Sequence, residues 1–156
     1  MFTVGKLAEL SGVTVKALHH YHRIGLVVPS GASDAGYRLY SRRDLERLQQ
    51  VLFYKALDFR LSEIKKALSN EHSRRETLMT QRQLLLQRRE HLAKVLATLE
   101  SSLKVTEGES EMSEREMFSG LGPDEWNRAL EPQNQHLKEN YGYEARVSSE
   151  QEAKKM

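Results

Sequence analysis

Apolar positions recur along the first part of the chain in short bursts, each closed by a turn residue. Val4, Leu7, Ala8 and Ser11 fall at i, i+3, i+4 and i+7, with Thr3 ahead of them as an N-cap, so the spacing predicts a helix over 4–11. Gly12 makes a turn. Thr14 is placed to cap a second helix, and Val13 and Leu18 hold the two positions of a hydrophobic staple. That helix runs to about Ile24, where Gly25 supplies a left-handed residue and Leu26 can fold back onto Tyr21 in a Schellman ending. Two short helices across a Gly-containing turn make a helix-turn-helix pattern.

The pattern changes over 27–40. Val27 and Val28 are β-branched, Tyr37, Leu39 and Tyr40 favour strands, and the residues between them are rich in Pro, Ser, Gly and Asp. The expectation is a small two-stranded wing with a long tip. Ser41 and Asp44 then form a helix start signal, and Leu45, Leu48, Val51 and Leu52 carry a third helix to about Ala56. A fourth short helix holds Ile64, Ala67 and Leu68.

From Ser73 to Leu103 the pattern is long and unbroken. Ser73 and Glu76 make a capping box, and no Gly or Pro follows until Gly108. Leu78, Leu85, Leu92 and Leu99 repeat every seven residues, and Met79, Leu86, Val95, Leu96 and Leu103 widen the stripe. Thirty residues of helix span ~45 Å. Such a seam is suited to a second copy of itself; the alternative is packing against residues 110–156 of the same chain. Arg82 and Arg89 interrupt its N-terminal half. Residues 104–112 read as a polar linker. Beyond it, Ser113 and Glu116 form another capping box, Pro123 suits a helix N1 position, and Trp126 and Leu130 share a helical face. Pro132 should break or kink that helix, and the polar remainder is expected to be mobile. The domains expected are therefore 1–70, a winged helix-turn-helix unit; 71–104, a dimerisation helix; and 105–156, a linker with an incomplete, partly disordered effector-like segment.

Charge adds direction to this layout. The 156 residues carry a net charge of only +2. Residues 1–70, however, hold 11 Lys/Arg against 6 Asp/Glu, and residues 104–156 hold 7 against 12. A basic front and an acidic back suit a front that meets a polyanion. The absence of cysteine excludes disulfides, thiol nucleophiles and cysteine metal sites. No apolar run is long enough for a membrane span, and the N-terminus lacks the blocks of a signal peptide, so a cytoplasmic protein without membrane contact is expected.

Candidate chemistry concentrates on the second helix. Leu18, Tyr21 and Ile24 form its inward face, leaving Thr14, Lys16, Ala17, His19, His20 and Arg23 outward. His19 and His22 share a face at i and i+3, yet no carboxylate or cysteine stands beside them at helical spacing, so the pair is not expected to hold a metal. No nucleophile–base order and no Gly-rich phosphate cradle is present, which argues against an enzyme, and no cofactor is implied. Met117, Phe118, Leu121, Trp126 and Tyr141 are the apolar material from which a drug pocket could be built, but one proline-interrupted segment is too little to enclose it. A segment that docks weakly or not at all is the expectation.

Three runs, VGKLAELSGVTVKALHHYHRIGLVVPS, GYRLYSRRDLERLQQV and FRLSEIKKAL, resemble the DNA-binding domain of the MerR family of transcriptional regulators. The likeness covers residues 2–69. LHHY, LERLQQVLFYKALDFRL and the later EMFSGL resemble its drug-responsive TipA/Mta branch, here with an incomplete C-terminal effector domain. The resemblance implies a mainly α fold, a winged helix-turn-helix followed by a long dimerisation helix in an antiparallel coiled coil. It places Thr14, Lys16, His19 and His20 at DNA, with Arg23 outward beside them. Tyr37 and Arg38 fall on a backbone-gripping wing, and Arg60 is a candidate second wing contact. Leu78, Leu85, Leu92, Val95, Leu96, Leu99 and Leu103 are the implied dimer seam. Most of the family has Arg and Tyr where this chain has His19 and His20, and Gly in a left-handed conformation at the place of Asp58.

The partners so implied are promoter DNA, a second copy of the chain, and RNA polymerase at the promoter; no small-molecule inducer is identified. The implied activity is that of a homodimeric regulator that bends and untwists a promoter whose spacer is overlong. The rival reading is a coiled-coil interaction protein that forms heterodimers with a full-length homologue and inhibits it.

Overall fold

The structure is a computed structural model that describes residues 1–69 and 72–141. It contains two compact units that divide at Leu78/Met79.

In the first unit the chain enters as a two-residue strand, β1 (Phe2–Thr3), and turns directly into α1 (Val4–Ser11) and α2 (Val15–Arg23). Thr3 and Thr14 cap these helices as their positions suggest, each hydroxyl accepting the N–H three residues on, from Lys6 at 3.1 Å and Ala17 at 3.0 Å. At the far end of α2, Gly25 sits at φ 73°. The Leu26 N–H reaches Tyr21 O at 2.8 Å and the Gly25 N–H reaches His22 O at 3.0 Å, the paired bonds of a Schellman ending.

The wing differs from expectation. Its strands are β2 (Gly31–Ala32) and β3 (Arg38–Tyr40), and β1 pairs with the other edge of β3, giving a three-stranded antiparallel sheet in the order β1-β3-β2. Val27 and Val28 lie outside the sheet: Val27 is buried in the core and Val28 is exposed. The β-branched pair signalled burial of one residue rather than strand pairing.

Helix α3 (Arg42–Ala56) begins in a full capping box. Ser41 Oγ accepts from the Asp44 N–H at 3.2 Å while Asp44 Oδ2 accepts from the Ser41 N–H at 2.8 Å. The same carboxylate oxygen accepts from the Ser30 hydroxyl at 2.6 Å and the Ser30 N–H at 2.9 Å, tying the strand side of the wing to α3. Burial works to raise the Asp44 pKa, but these bonds from Ser30 and Ser41 outweigh it and hold the carboxyl below its ordinary value. At the C-terminus, Asp58 stands at φ 62° with a second Schellman pair, Phe59 N–H to Tyr54 O at 3.1 Å and Asp58 N–H to Lys55 O at 2.9 Å. The Phe59 and Tyr54 rings stack at 4.8 Å and supply the hydrophobic contact of that motif. The left-handed conformation implied at position 58 is therefore present, with Asp in place of Gly.

Helix α4 (Leu61–Ala67) closes the unit. Leu7, Leu18, Leu26, Val27, Tyr40, Leu48, Val51, Tyr54, Leu57 and Ile64 form its core. Arg47 crosses it, donating from Nε to Leu26 O at 3.0 Å and from Nη1 to Leu68 O at 2.8 Å, so one side chain ties the ends of α2 and α4. Burial lowers its pKa from the ordinary arginine value.

The second unit is organised along α5 (Arg74–Thr106), which starts within the first unit, and α6 (Pro123–Tyr141). The segment between them does dock. Thr98 donates to Ser119 O at 2.6 Å, His91 Nε2 bonds Gly120 O at 3.0 Å, and Lys94 pairs with Glu125 at 2.8 Å. Gly120 sits at φ 83°, which favours glycine, and a Cβ there would stand 3.3 Å from Lys94 Cγ, close enough that the lysine would have to give by a few tenths of an ångström. Pro123 opens α6 as its ring favours, but Pro132 lies inside the helix, which continues to Tyr141. A proline removes one N–H from the ladder, and here the flanking buried Leu130 and Gln133 keep the helix going. Residues 133–141, expected to be mobile with the rest of the polar tail, instead continue α6; the remainder of that tail, 142–156, lies outside the described residues.

Candidate nucleic-acid interface

The Thr14 cap fixes where α2 starts and Leu18 and Tyr21 fix which way it faces. Both are buried, so the opposite row, Thr14, Lys16, His20 and Arg23, is exposed, with His19 half-buried at its edge. The Thr14 hydroxyl accepts from the helix and keeps its own proton to donate outward. Lys55 Nζ donates to Tyr21 OH at 3.2 Å and secures the inner face.

The wing meets this helix through one side chain. Arg38, at the start of β3, donates from Nε to His22 Nδ1 at 3.0 Å and from Nη1 to His19 Nε2 at 3.2 Å. The histidine pair does converge, as its i, i+3 spacing required, but on the protein's own guanidinium. Among the described residues there is no group of three or more His, Cys, Asp or Glu that could hold a metal ion. Tyr37, next to Arg38, is 71% exposed and stands at the rim of a cleft lined by Thr3, Val4, His19, Gly36 and Leu39. Burial raises the pKa of Tyr40, two residues along the same strand, and the Arg38 charge pulls against that rise.

Arg60 is exposed and serves as the N-cap residue of α4, where its N–H donates to Glu63 Oε1 at 2.7 Å. Among the described residues, no hydrogen bond or ion pair joins it to α2 or the wing. Arg42 and Arg43 are exposed in the first turn of α3, opposite in sign to what the helix dipole favours there, which makes that terminus a strongly positive point. Neither stands among the DNA contacts expected from the sequence, and nor does His22. The i, i+3 spacing put His22 on one face with His19 but did not show that Arg38 is the group they meet.

On α5 the leucines and the intrachain partner use different faces. Leu92, Leu96, Leu99 and Leu103 are 58%, 53%, 52% and 53% exposed and follow one another at 4-3-4 spacing. Thr98 is buried, and His91 and Ser102 half-buried, on the neighbouring face that residues 112–121 cover. Val95 lies at the border, half-buried beside Gly120, so it is set apart from the leucines it was grouped with. Leu78 and Leu85 are half-buried. Met117, Phe118 and Leu121 are exposed; the side chains of Trp126 and Tyr141 lie outside the described residues.

Residues 2–71 match the family model described as MerR HTH family regulatory protein. The crystal structure of the HTH-type transcriptional regulator SkgA from Caulobacter crescentus superposes with a TM-score of 0.72 at 39% identity, covering 81% of this chain and 92% of that one. The chain belongs to the MerR family. Among other MerR relatives, the HTH-type transcriptional activator Mta of Bacillus subtilis is 37% identical over 96% of this chain and 58% of its own length. The HTH-type transcriptional activator TipA of Streptomyces coelicolor is 40% identical over 83% of this chain and 53% of its own. The chain thus spans a little over half the length of these MerR relatives. These relatives are transcriptional activators by name, and no described helix of this chain is long and apolar enough to cross a membrane.

Proposed function

We propose that this chain is a sequence-specific DNA-binding transcriptional regulator that works as a homodimer. The observation that carries the reading is the joining of α2 to the wing through Arg38, which makes helix and wing one basic surface. In it, Lys16, His19, His20 and Arg23 face a major groove, Thr14 and Tyr37 flank them, and Arg38 and Arg60 meet phosphates. The net charge of residues 1–70 supports the assignment.

The two-fold partner is supplied by the exposed leucine face of α5. Leu92, Leu96, Leu99 and Leu103 form the main seam, Leu78 and Leu85 extend it, and Val95 borders it. Two domains held at a fixed separation then address a pseudo-palindrome. Bending and untwisting an overlong promoter spacer, so that RNA polymerase reaches both elements, is the form of regulation that MerR membership favours. This work would be done in the cytoplasm.

Footprinting on the chain's own upstream region, followed by fluorescence anisotropy with the protected duplex and a scrambled one, tests the reading. Lys16→Ala and His19→Ala should lose ~1–3 kcal/mol more on the protected duplex than on the scrambled one. Arg38→Ala should weaken both alike and flatten the salt slope by about 1. A pure homodimer that protects no DNA would favour the rival, a chain that pairs through the leucines of α5 with a full-length homologue and inhibits it.

A further inference from the structure

The Arg38 guanidinium has a task before any nucleic acid arrives. It is donor-only, it sits on a three-residue edge of the wing, and its long side chain is exposed. Left to itself, such a side chain samples many rotamers and loses that freedom on binding. Two imidazole nitrogens on α2 instead hold it, His22 Nδ1 at 3.0 Å and His19 Nε2 at 3.2 Å. Each nitrogen can accept only when it carries no proton, so both rings present a lone pair to the cation. Among the described residues no carboxylate forms a salt bridge with Arg38, and the two rings anchor it. The two bonds use Nε–H and one Nη1–H, leaving the remaining Nη protons to point elsewhere.

We propose that His22 is a positioning residue for DNA binding: through Nδ1 it fixes the Arg38 guanidinium against α2, so that recognition helix and wing are set as one surface before the duplex is met. The proposal rests on the DNA-binding reading above and assigns a role to a residue that faces Arg38 and not the groove. His19 shares the clamp but also stands at the edge of the outward row, so His22 isolates the positioning role.

Three properties separate positioning from direct contact. First, His22→Leu removes the acceptor and should weaken binding roughly two- to tenfold on protected and scrambled duplexes alike, the cost of ordering one long side chain. Second, the salt slope should stay that of the wild type, because Arg38 still reaches its phosphate once bound, whereas Arg38→Ala flattens it by about 1. Third, in the Arg38→Ala background His22→Leu should cost nothing more. His22→Asn, whose Oδ1 can stand near the place of Nδ1, should restore wild-type affinity.

The full chain without DNA supplies an independent arm. The Arg38 Nε–H resonance should be protected from solvent exchange in the wild type and in His22→Asn, and exchange freely in His22→Leu. A His22→Leu loss that persists in the Arg38→Ala background, or that flattens the salt slope, would make His22 a DNA contact and overturn the proposal. So would an Arg38 Nε–H equally protected in His22→Leu and wild type. If the wild type binds neither duplex while the Nε–H result holds, the DNA reading fails and takes the positioning role with it, leaving a clamp of the fold alone.

Discussion

Residues 1–69 and residues 79–141 are both mostly helical, yet the first buries mainly apolar side chains while the second buries Gln81, Thr98 and Gln133 beside Leu84 and Leu130. In the first region each helix turns its apolar row inward: Leu7 from α1, Leu18 and Tyr21 from α2, Leu48, Val51 and Tyr54 from α3, and Ile64 from α4 are all buried. In the second, the face of α5 that the chain covers is substantially polar, with Thr98 and His91 bonded to the backbone of residues 119–120, while four leucines stay about half exposed. Full burial of one leucine stabilises by about 1.5–3 kcal/mol, so in the proposed dimer these half-exposed leucines would supply several kcal/mol of apolar contact. The contrast teaches which parts of the molecule are finished by their own chain. The first region is; the leucine face of α5 is not.

The largest expected effect breaks the second half of that contrast. Leu92→Glu with Leu99→Glu places two carboxylates per protomer in the seam and should cost the dimer roughly 3–6 kcal/mol. Sedimentation should then show monomers where the wild type shows dimers, while unfolding of the first region stays unchanged. A double variant that still sediments as a dimer would show that the seam is not the interface. The matching change in the finished region is Leu48→Ala, buried at 1% exposure. It should cost about 2–5 kcal/mol in urea unfolding and leave the association state alone. If Leu48→Ala instead dissociates the protein, the two regions are not independent in the sense argued above.

A smaller effect concerns how the wing is held to the finished region. The Asp44 carboxylate accepts three hydrogen bonds, two from Ser30 and one from the Ser41 N–H. Its carboxyl is held below the unfolded-state value, so it contributes stability that is present above that value and is lost as pH falls through the lower, folded one. Asp44→Ala should therefore cost about 1 kcal/mol near neutrality, as loss of a capping box does. The difference from wild type should shrink under acid, measured by denaturant titration across pH. A gap that grows on acidification would contradict the sign of the shift.

What was legible in the sequence follows one physical line. The caps at Thr3, Thr14 and Ser41 and the turn at Gly25 are side chains acting on backbone within a few residues, so residue type and spacing define them. Strand β1 was not legible, because two residues carry no periodicity and Phe2–Thr3 is a strand only through pairing with Leu39 and Tyr40. The Arg38–His22 bond joins polar residues sixteen positions apart and leaves no pattern in either segment. The heptad of α5 was plain, but which of its faces the chain itself covers depends on where Gly120 can approach, and one glycine in a polar run does not announce that. The i, i+3 histidines are the instructive middle case: the convergence was readable and the cation they converge on was not.

The smallest expected effect lies at the other end of α3, where two helix ends of the first region can be compared at a single motif. Gly25 and Asp58 end α2 and α3 with the same pair of backbone bonds, at φ 73° and φ 62°. Asp tolerates the left-handed region better than most residues but still pays for its Cβ there, by up to about 1 kcal/mol. Glycine removes that strain and adds chain entropy to the unfolded state, roughly 0.4–1 kcal/mol in the opposite direction. Asp58→Gly should therefore change stability by no more than a few tenths of a kcal/mol, whereas Asp58→Ala keeps the Cβ, lacks a polar group to bond locally, and should lose about 1 kcal/mol. Both are read in urea unfolding with tyrosine fluorescence of the first region, since Tyr54 packs on Phe59 immediately after the turn. Equal stability of Asp58→Ala and wild type would mean that the Phe59–Tyr54 stack alone sets this turn and that the left-handed residue merely follows it.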